Sequence, residues 1–432
     1  MTIIKYGSTL LILLLFSQFS SAQELLKISR SDSEALFLQA NLSLIAEKLN
    51  ISQAEAKVMQ AKLWPNPNLT IDQVNLWATK AQTGGQEVIP ALGKFLGSNQ
   101  QAGFQIEQLI QTAGKRKKLM ALEQVSVDKS KQYFEDLLRN LKVEFRNKLT
   151  QLQYLQLSKS IYEKQFGSIQ LLAKAYKNQV TLGNYTKGEY IRIKALELEI
   201  AQEINALTED LNDSQKELKL FMRLPVNTSI EITGEGYTKE TSQIALLNLN
   251  DLIEKAKQNR PDYKLANLEQ TYFDKLYRYE KAQRVPDVTF SGAYDRGGSA
   301  MLNFFGFGIS ADLPVFNRNQ GNIAYAKIGK EQAKVQFEQM DLTVETEIEL
   351  AFKNLNNAVA FYKQIEPDYE KTLDDLLDNY LKNFSSRRIS LLEYLDFQDA
   401  YFENKKIILE AGKAINEKVE ELNYKTGLDL IK

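Results

Sequence analysis

The sequence repeats itself, and this duplication restricts the fold more than any other feature. Tyr176 to Tyr190 (YKNQVTLGNYTKGEY) lines up with Tyr380 to Tyr394 (YLKNFSSRRISLLEY) at an offset of 204 residues, and the register runs on without a gap until Leu224 stands opposite Leu428. Gly103-Phe104-Gln105-Ile106 matches Gly306-Phe307-Gly308-Ile309 at an offset of 203, and Leu63-Trp64-Pro65-Asn66-Pro67 corresponds to Arg284-Val285-Pro286-Asp287 at 221. The difference between those offsets, 221 minus 203, puts an insertion of about 18 residues between Pro67 and Gly103. Self-similarity at a fixed spacing marks a structural repeat. The chain thus divides into a first repeat, 23–235, and a second, 236–432. Each has the order helix, Pro-marked break, two strands, long helix, tight turn, helix, and the two are expected to form one intertwined domain.

Residues 1–22 read as an export signal. Lys5 supplies the positive start, Leu10 to Phe16 the apolar run, and Ser20-Ser21-Ala22 the small-residue cleavage pattern, so the mature chain is expected to begin at Gln23. The alternative, an N-terminal membrane anchor, meets an apolar run well short of the roughly 20 residues that span a bilayer. No other segment is apolar enough for a transmembrane helix, so insertion into a membrane must use β-strands.

The strands have the length and pattern for that. Leu69, Ile71, Gln73 and Asn75 alternate with Thr70, Asp72, Val74 and Leu76, and Phe104, Ile106, Gln108 and Ile110 alternate with polar neighbours. Asp287 to Tyr294 and Met301 to Leu313 read similarly across a Gly297-Gly298-Ser299-Ala300 turn. The expected strands cover about 67–77, 102–111, 286–295 and 301–313, each near the ten residues that cross a bilayer at a tilt. Trp64, Trp77, Tyr294, Phe304, Phe305 and Phe307 gather here like an interfacial aromatic girdle. Four strands cannot close a membrane barrel, which needs at least eight. A symmetric oligomer that pools its strands removes the open edges. A small soluble sheet on a helical protein is the plainer alternative.

Proline is absent between Pro90 and Pro225 and after Pro367, and the composition there favours long helices. Expected helices cover 115–182, 186–222, 318–384 and 390–424. Leu138, Leu141, Phe145, Leu149, Leu152 and Leu155 form a coiled-coil seam in the first long helix. Val344, Ile348, Phe352, Leu355, Val359 and Tyr362 form its counterpart. These stripes are packing surfaces and carry no chemistry. A helix of nearly 70 residues rises about 100 Å, and Pro367 is expected to kink the second one. Each long helix turns back at a polar tip. In the first, Gly183 is the C-cap and Thr186 the N-cap of the returning helix. In the second, Ser390 and Glu393 form a capping box.

The chain has no Cys and no His, which removes disulfides, His-based acid/base catalysis and the usual ligands of a tight zinc, copper or cobalt site. Fifty-four basic against 55 acidic residues leave no charge excess for a nucleic-acid partner. No catalytic, cofactor-binding or metal site is expected, and no enzyme motif is present.

The paired halves resemble the TolC-like outer-membrane efflux proteins over essentially the whole mature chain. Trp64-Pro65-Asn66-Pro67, Gly114-Lys115-Arg116 and Pro314-Val315-Phe316-Asn317-Arg318-Asn319-Gln320-Gly321 are similar to the heavy-metal branch, the CzcC- and CusC-like proteins. The resemblance implies a mainly α fold with a small β part: long coiled-coil hairpins forming an α-barrel, and four strands per subunit in a trimeric 12-stranded outer-membrane β-barrel. It implies a homotrimer in outer-membrane lipid, with helices reaching into the periplasm toward a periplasmic adaptor and an inner-membrane RND-type pump. The tips 182–186 and 385–390 would form the closable end. The family's acidic ring maps onto Glu393 and Asp396, and its basic tip residue onto Arg387-Arg388, displaced by one or two positions. Glu393 and Asp396 share a helix face. On a threefold axis they would place six carboxylates around one opening, as cation-selective constrictions do. Glu189, opposite Glu393 in the repeat, is a further candidate. The function expected is a passive exit duct, with divalent cations such as Co, Zn or Cd as its substrate. The alternatives are an exported coiled-coil structural protein or adhesin without a pore, and a duct for drugs or secreted protein.

Overall fold

Ser29, Asn41, Thr186, Asn248 and Ser390 are short polar residues placed just ahead of amphipathic runs, and the side chain of each accepts a hydrogen bond from the first turn of the helix that follows. In a computed structural model of the chain, residues 24–75, 81, 101–233, 237, 241–296 and 303–431 are described. The expected signal, residues 1–22, lies outside them, as do Trp77, the Gly84-Gly85 and Pro90 to Gly97 part of the expected insertion, and the expected turn at Gly297 to Ala300.

The first half contains β1 (Glu24–Ile28), α1 (Arg30–Ala40), α2 (Leu42–Lys62), β2 (Asn68–Asn75), β3 (Gln101–Ile110), α3 (Lys115–Thr181), α4 (Lys187–Met222) and β4 (Thr228–Ile232). The second contains α5 (Leu249–Asn259), α6 (Pro261–Gln283), β5 (Val288–Arg296), β6 (Asn303–Ser310), α7 (Gln320–Tyr362), α8 (Tyr369–Ser385) and α9 (Leu391–Thr426). No helix among the described residues is long and apolar enough to cross a membrane.

Two compact units form, and each draws on both halves of the sequence. One comprises Lys48–Tyr133 and Asp262–Met340; the other comprises Met1–Glu47, Phe134–Pro261 and Asp341–Lys432. In the first, β2, β3, β5 and β6 form one antiparallel sheet in that order, so the two repeats meet where β3 pairs with β5. Lys115 is buried and its Nζ lies 2.8 Å from Asp287 Oδ1, which also accepts from the Thr112 backbone N–H at 2.8 Å. In the second unit the seam anticipated in α3 is the core. Phe145, Leu149, Leu152 and Leu155 pack with Phe37, Leu218 and Met222, and the Phe37 and Phe145 rings stack at 4.6 Å. Each such buried side chain contributes roughly 1.5–3 kcal/mol by leaving water.

The structure differs from the sequence reading in three ways. First, the second long helix is interrupted. It ends at Tyr362, and Lys363 to Asp368 form turns before α8 starts. Pro367 lacks an N–H and disfavours helical geometry at Glu366, and Gln364 and Ile365 tighten to bonds with the carbonyls three residues back, those of Phe361 and Tyr362. Second, β6 stops at Ser310, so 311–313 are not strand, and Pro314 cannot donate to a ladder. Third, β1 and β4 pair in parallel, Glu24 with Thr228 through to Ile28 with Ile232. Five residues each, they are too short to show an alternation.

Candidate functional site

Side chains directly opposite one another in an antiparallel sheet project from the same face, so the register sorts the sheet into two faces. One carries Leu69 and Ile71, Phe104, Ile106 and Ile110, Val288, Phe290 and Tyr294, and Phe305, Phe307 and Ile309, with Gln108, Arg296 and Asn303 as its polar members. The other carries Asn68, Thr70 and Asp72, Gln105 and Glu107, Thr289, Ser291 and Asp295, and Ser310, with Gly103, Gly306 and Gly308. A Cβ on Gly103 would meet the Asp72 carboxylate, which would have to turn aside. The apolar face is open, with Phe307 94% and Phe305 72% exposed. An exposed aromatic and aliphatic face backed by a polar one is the pattern of a barrel wall between lipid and an aqueous lumen. Phe304, grouped with the aromatic girdle from sequence, belongs to the polar face. Trp64 precedes the sheet and lies under the Arg116 guanidinium at 4.0 Å.

At the other candidate site, the two tips follow one plan. Thr186 and Glu189 make a full capping box at the start of α4, as Ser390 and Glu393 do at the start of α9. Glu393 Oε2 accepts from the Ser390 N–H at 2.7 Å and its hydroxyl at 2.8 Å, which lowers the carboxyl's pKa although it is fully exposed. Glu189 is held low in the same way by Thr186. Gly183 takes a left-handed conformation with φ +77°, and its repeat equivalent Arg387 takes φ +57°. Arg387 then crosses to the first tip, donating from Nε to the Tyr185 hydroxyl at 3.1 Å with its guanidinium over that ring. Arg388 is exposed, and its N–H bonds the Asn383 carbonyl. Beneath the tips, Tyr176, Phe384 and Tyr394 pack in one core with Ile169, Ile193 and Leu391. Burial raises the Tyr394 phenol to about 12.

Asp396 is exposed one turn beyond Glu393, so the pair does share a face. Three further residues belong to this tip region. Asp399 continues that acidic run, and burial, then the Asp396 charge, raises its pKa. Tyr185 receives Arg387. Gln398 is 0% exposed, and neither amide atom finds a partner. The i, i+3 spacing could have pointed to Asp399; the other two depend on contacts distant in sequence. Among the described residues, no group of three or more acidic side chains is placed to hold a metal ion.

The sequence profile of the family described as "Outer membrane efflux protein" matches residues 252–423. Over that segment the chain resembles the outer membrane efflux family. The cobalt-zinc-cadmium resistance protein CzcC of Cupriavidus metallidurans is 20% identical over 368 residues, covering 84% of this chain and 81% of that one. Among solved structures, a membrane protein from Pseudomonas aeruginosa has TM-score 0.71 at 17% identity, covering 92% of this chain and 93% of that one. CusC has TM-score 0.67 at 15% identity, covering 92% of each chain. The Campylobacter jejuni CmeC outer membrane channel has TM-score 0.70 at 14% identity, covering 92% of this chain and 85% of that one. The chain thus shares with these structures a mainly helical fold with a small β part.

Proposed function

We propose that this protein is the exit duct of a tripartite efflux system, passively conducting divalent heavy-metal cations from a periplasmic pump to the exterior. The observation that carries the duct is the two-faced sheet. Its edge strands β2 and β6 have no further strand partner among the described residues, and open edges of this kind demand a neighbour. Three copies would supply twelve strands, enough for a closed barrel with the apolar face toward lipid and the polar face toward water. In this reading residues 23–235 and 236–432 act as two repeats. The tips at Gly183, Thr186 and Ser390 form the periplasmic end, where an adaptor and an inner-membrane RND transporter dock.

Glu393 and Asp396 are the proposed cation-selecting ring, with Arg387 and Arg388 holding the tip closed and Glu189 a secondary carboxylate. The cap bonds use only Oε2 of Glu393, which leaves Oε1 available to a cation. The likeness to CzcC supports divalent cations as substrate. With no His or Cys in the chain, metal selectivity is assigned to the pump.

Purified protein in planar bilayers tests the duct: cation-selective conductance is expected, and an exported scaffold without a pore would give none. Deleting the protein's gene should sensitise cells to Co, Zn or Cd. Sensitivity to drugs alone would reassign the substrate while keeping the channel.

A further inference from the structure

At the end of the sheet where strands meet helices, a basic cluster stands next to an open cavity. β3 ends at Ile110 and α3 starts at Lys115, so Lys115, Arg116, Lys117 and Lys118 make up its first turn at that rim. Helix starts favour acidic side chains, and this first turn has none. Asp287 balances Lys115. Arg116 donates to the Lys62 carbonyl and Lys118 to that of Ala113, contacts that leave their charge in place. Among the described residues, Arg116, Lys117 and Lys118 have no carboxylate partner.

The architecture itself does not call for these three cations. At the offset of 203 that relates Gly103 to Gly306, they correspond to Asn319, Gln320 and Gly321, all uncharged. There α7 starts without a basic cluster, and Asn319 Nδ2 donates to Glu280 Oε2 at 2.6 Å.

The cavity beside the first turn of α3 measures about 400 Å³ and is lined in part by Lys57, Gln60, Trp64, Gln111, Leu119 and Glu123. The Arg116 guanidinium lies over the Trp64 ring. Gln108 projects from the apolar face of the sheet, and its Nε2 donates to the Pro65 carbonyl at 2.9 Å, tying the Trp64-Pro65 turn to that face. Past the end of β6, Leu313 and Phe316 are 78% and 91% exposed, so apolar surface continues beyond the strands. Trp at the edge of an apolar band marks the headgroup level of a bilayer.

We infer that this cavity, with Arg116, Lys117 and Lys118, binds the headgroup of an anionic phospholipid in the leaflet on the helix side of the sheet. This rests on the barrel proposed above, whose apolar face meets lipid. Lys57 and the three cations supply charge for the phosphodiester, and the Trp64 indole packs against the glycerol region. Basic clusters that flank a membrane-spanning segment hold anionic headgroups in this way. Four cations against the single carboxylate of Glu123 favour a net anionic headgroup over a zwitterionic one. Glu123 also repels a free phosphate dianion more than a phosphodiester, which carries one negative charge.

Trp64 and Trp77 are the chain's two tryptophans, so Trp77→Phe makes Trp64 the sole reporter. In nanodiscs of phosphatidylethanolamine, lipid brominated near the headgroup quenches Trp64, and a titration gives its relative binding constant. Brominated phosphatidylglycerol should bind roughly tenfold or more tightly than brominated phosphatidylethanolamine, since each engaged cation contributes about fivefold. Adding Arg116→Gln, Lys117→Gln and Lys118→Gln should erase the preference. Equal quenching by the two lipids, or none by either, would overturn the site even if the triple variant fails to fold. A preference kept in a folded triple variant would overturn it too. Excess inorganic phosphate, at matched ionic strength, should leave the preference in place; its loss would assign the site to free phosphate and overturn the lipid. Conductance in planar bilayers is read separately. Protein that conducts without the preference overturns this site alone, and protein that does not conduct overturns the duct.

Discussion

Arg387 donates a hydrogen bond from Nε to the Tyr185 hydroxyl at 3.1 Å, linking the tip of the second helical hairpin to the tip of the first across 202 residues of sequence. The donor occupies a strained position. Its repeat equivalent is Gly183, and a side chain in the left-handed region costs roughly 1–2 kcal/mol. The second repeat thus keeps a backbone strain that the first avoids, and holds a guanidinium at the tip.

Tyr185→Phe keeps the ring but removes the acceptor, at a cost of about 1 kcal/mol to the link. The open fraction in planar bilayers should rise by roughly fivefold. Arg387→Gly removes both link and strain, so it should open the channel to a similar extent without lowering thermal stability. Unchanged open fractions in both variants would remove the tip contact from gating.

Glu393 serves its own helix, and a charge-neutral substitution separates that task from conduction. Glu393→Gln retains an acceptor oxygen for the Ser390 N–H and should leave the melting temperature almost unmoved. Ser390→Ala loses the cap, at about 0.5–2 kcal/mol. If the carboxylates select cations, Glu393→Gln with Asp396→Asn shifts the reversal potential toward non-selectivity while Ser390→Ala does not. Equal shifts from both would mean that only the helix end matters.

Gln398 is buried with neither amide atom bonded. Leaving a buried polar group unsatisfied costs about 1–3 kcal/mol, so Gln398→Leu or Gln398→Met should raise the denaturation midpoint by a matching amount. A lowered midpoint with both would show that the amide is doing something the packed tip depends on.

Asp399 gives a pH signature. Burial, then the neighbouring Asp396 charge, raises its folded pKa above the ordinary 3.8. A raised carboxylate favours folding while protonated, and that advantage is lost as pH rises from about the ordinary value through the folded one. Asp399→Asn should therefore stabilise the protein at pH 7 and be neutral near pH 3. Removing the like charge with Asp396→Asn should bring the Asp399 pKa down, measurable by carboxyl NMR. A gain equal at both pH values would show that the charge is not the cause.

The sequence by itself determined the first long helix, the strand pairs and the caps. Those follow from interactions within a few residues: the Leu149 and Leu152 seam, the alternation through Phe104 and Ile106, and the three-residue reach from Ser390 to Glu393. It anticipated a kink at Pro367 but not how far the helix would unwind, because that depends on whether the freed backbone groups find turn bonds. The β1–β4 pair was invisible, since a parallel partner some 200 residues away leaves no local period. Only the tertiary structure decided that Arg387 meets Tyr185 and that Gln398 goes unpaired. A periodic pattern records that a face is apolar; what covers it is fixed by chain topology and by neighbouring copies, which local sequence does not encode.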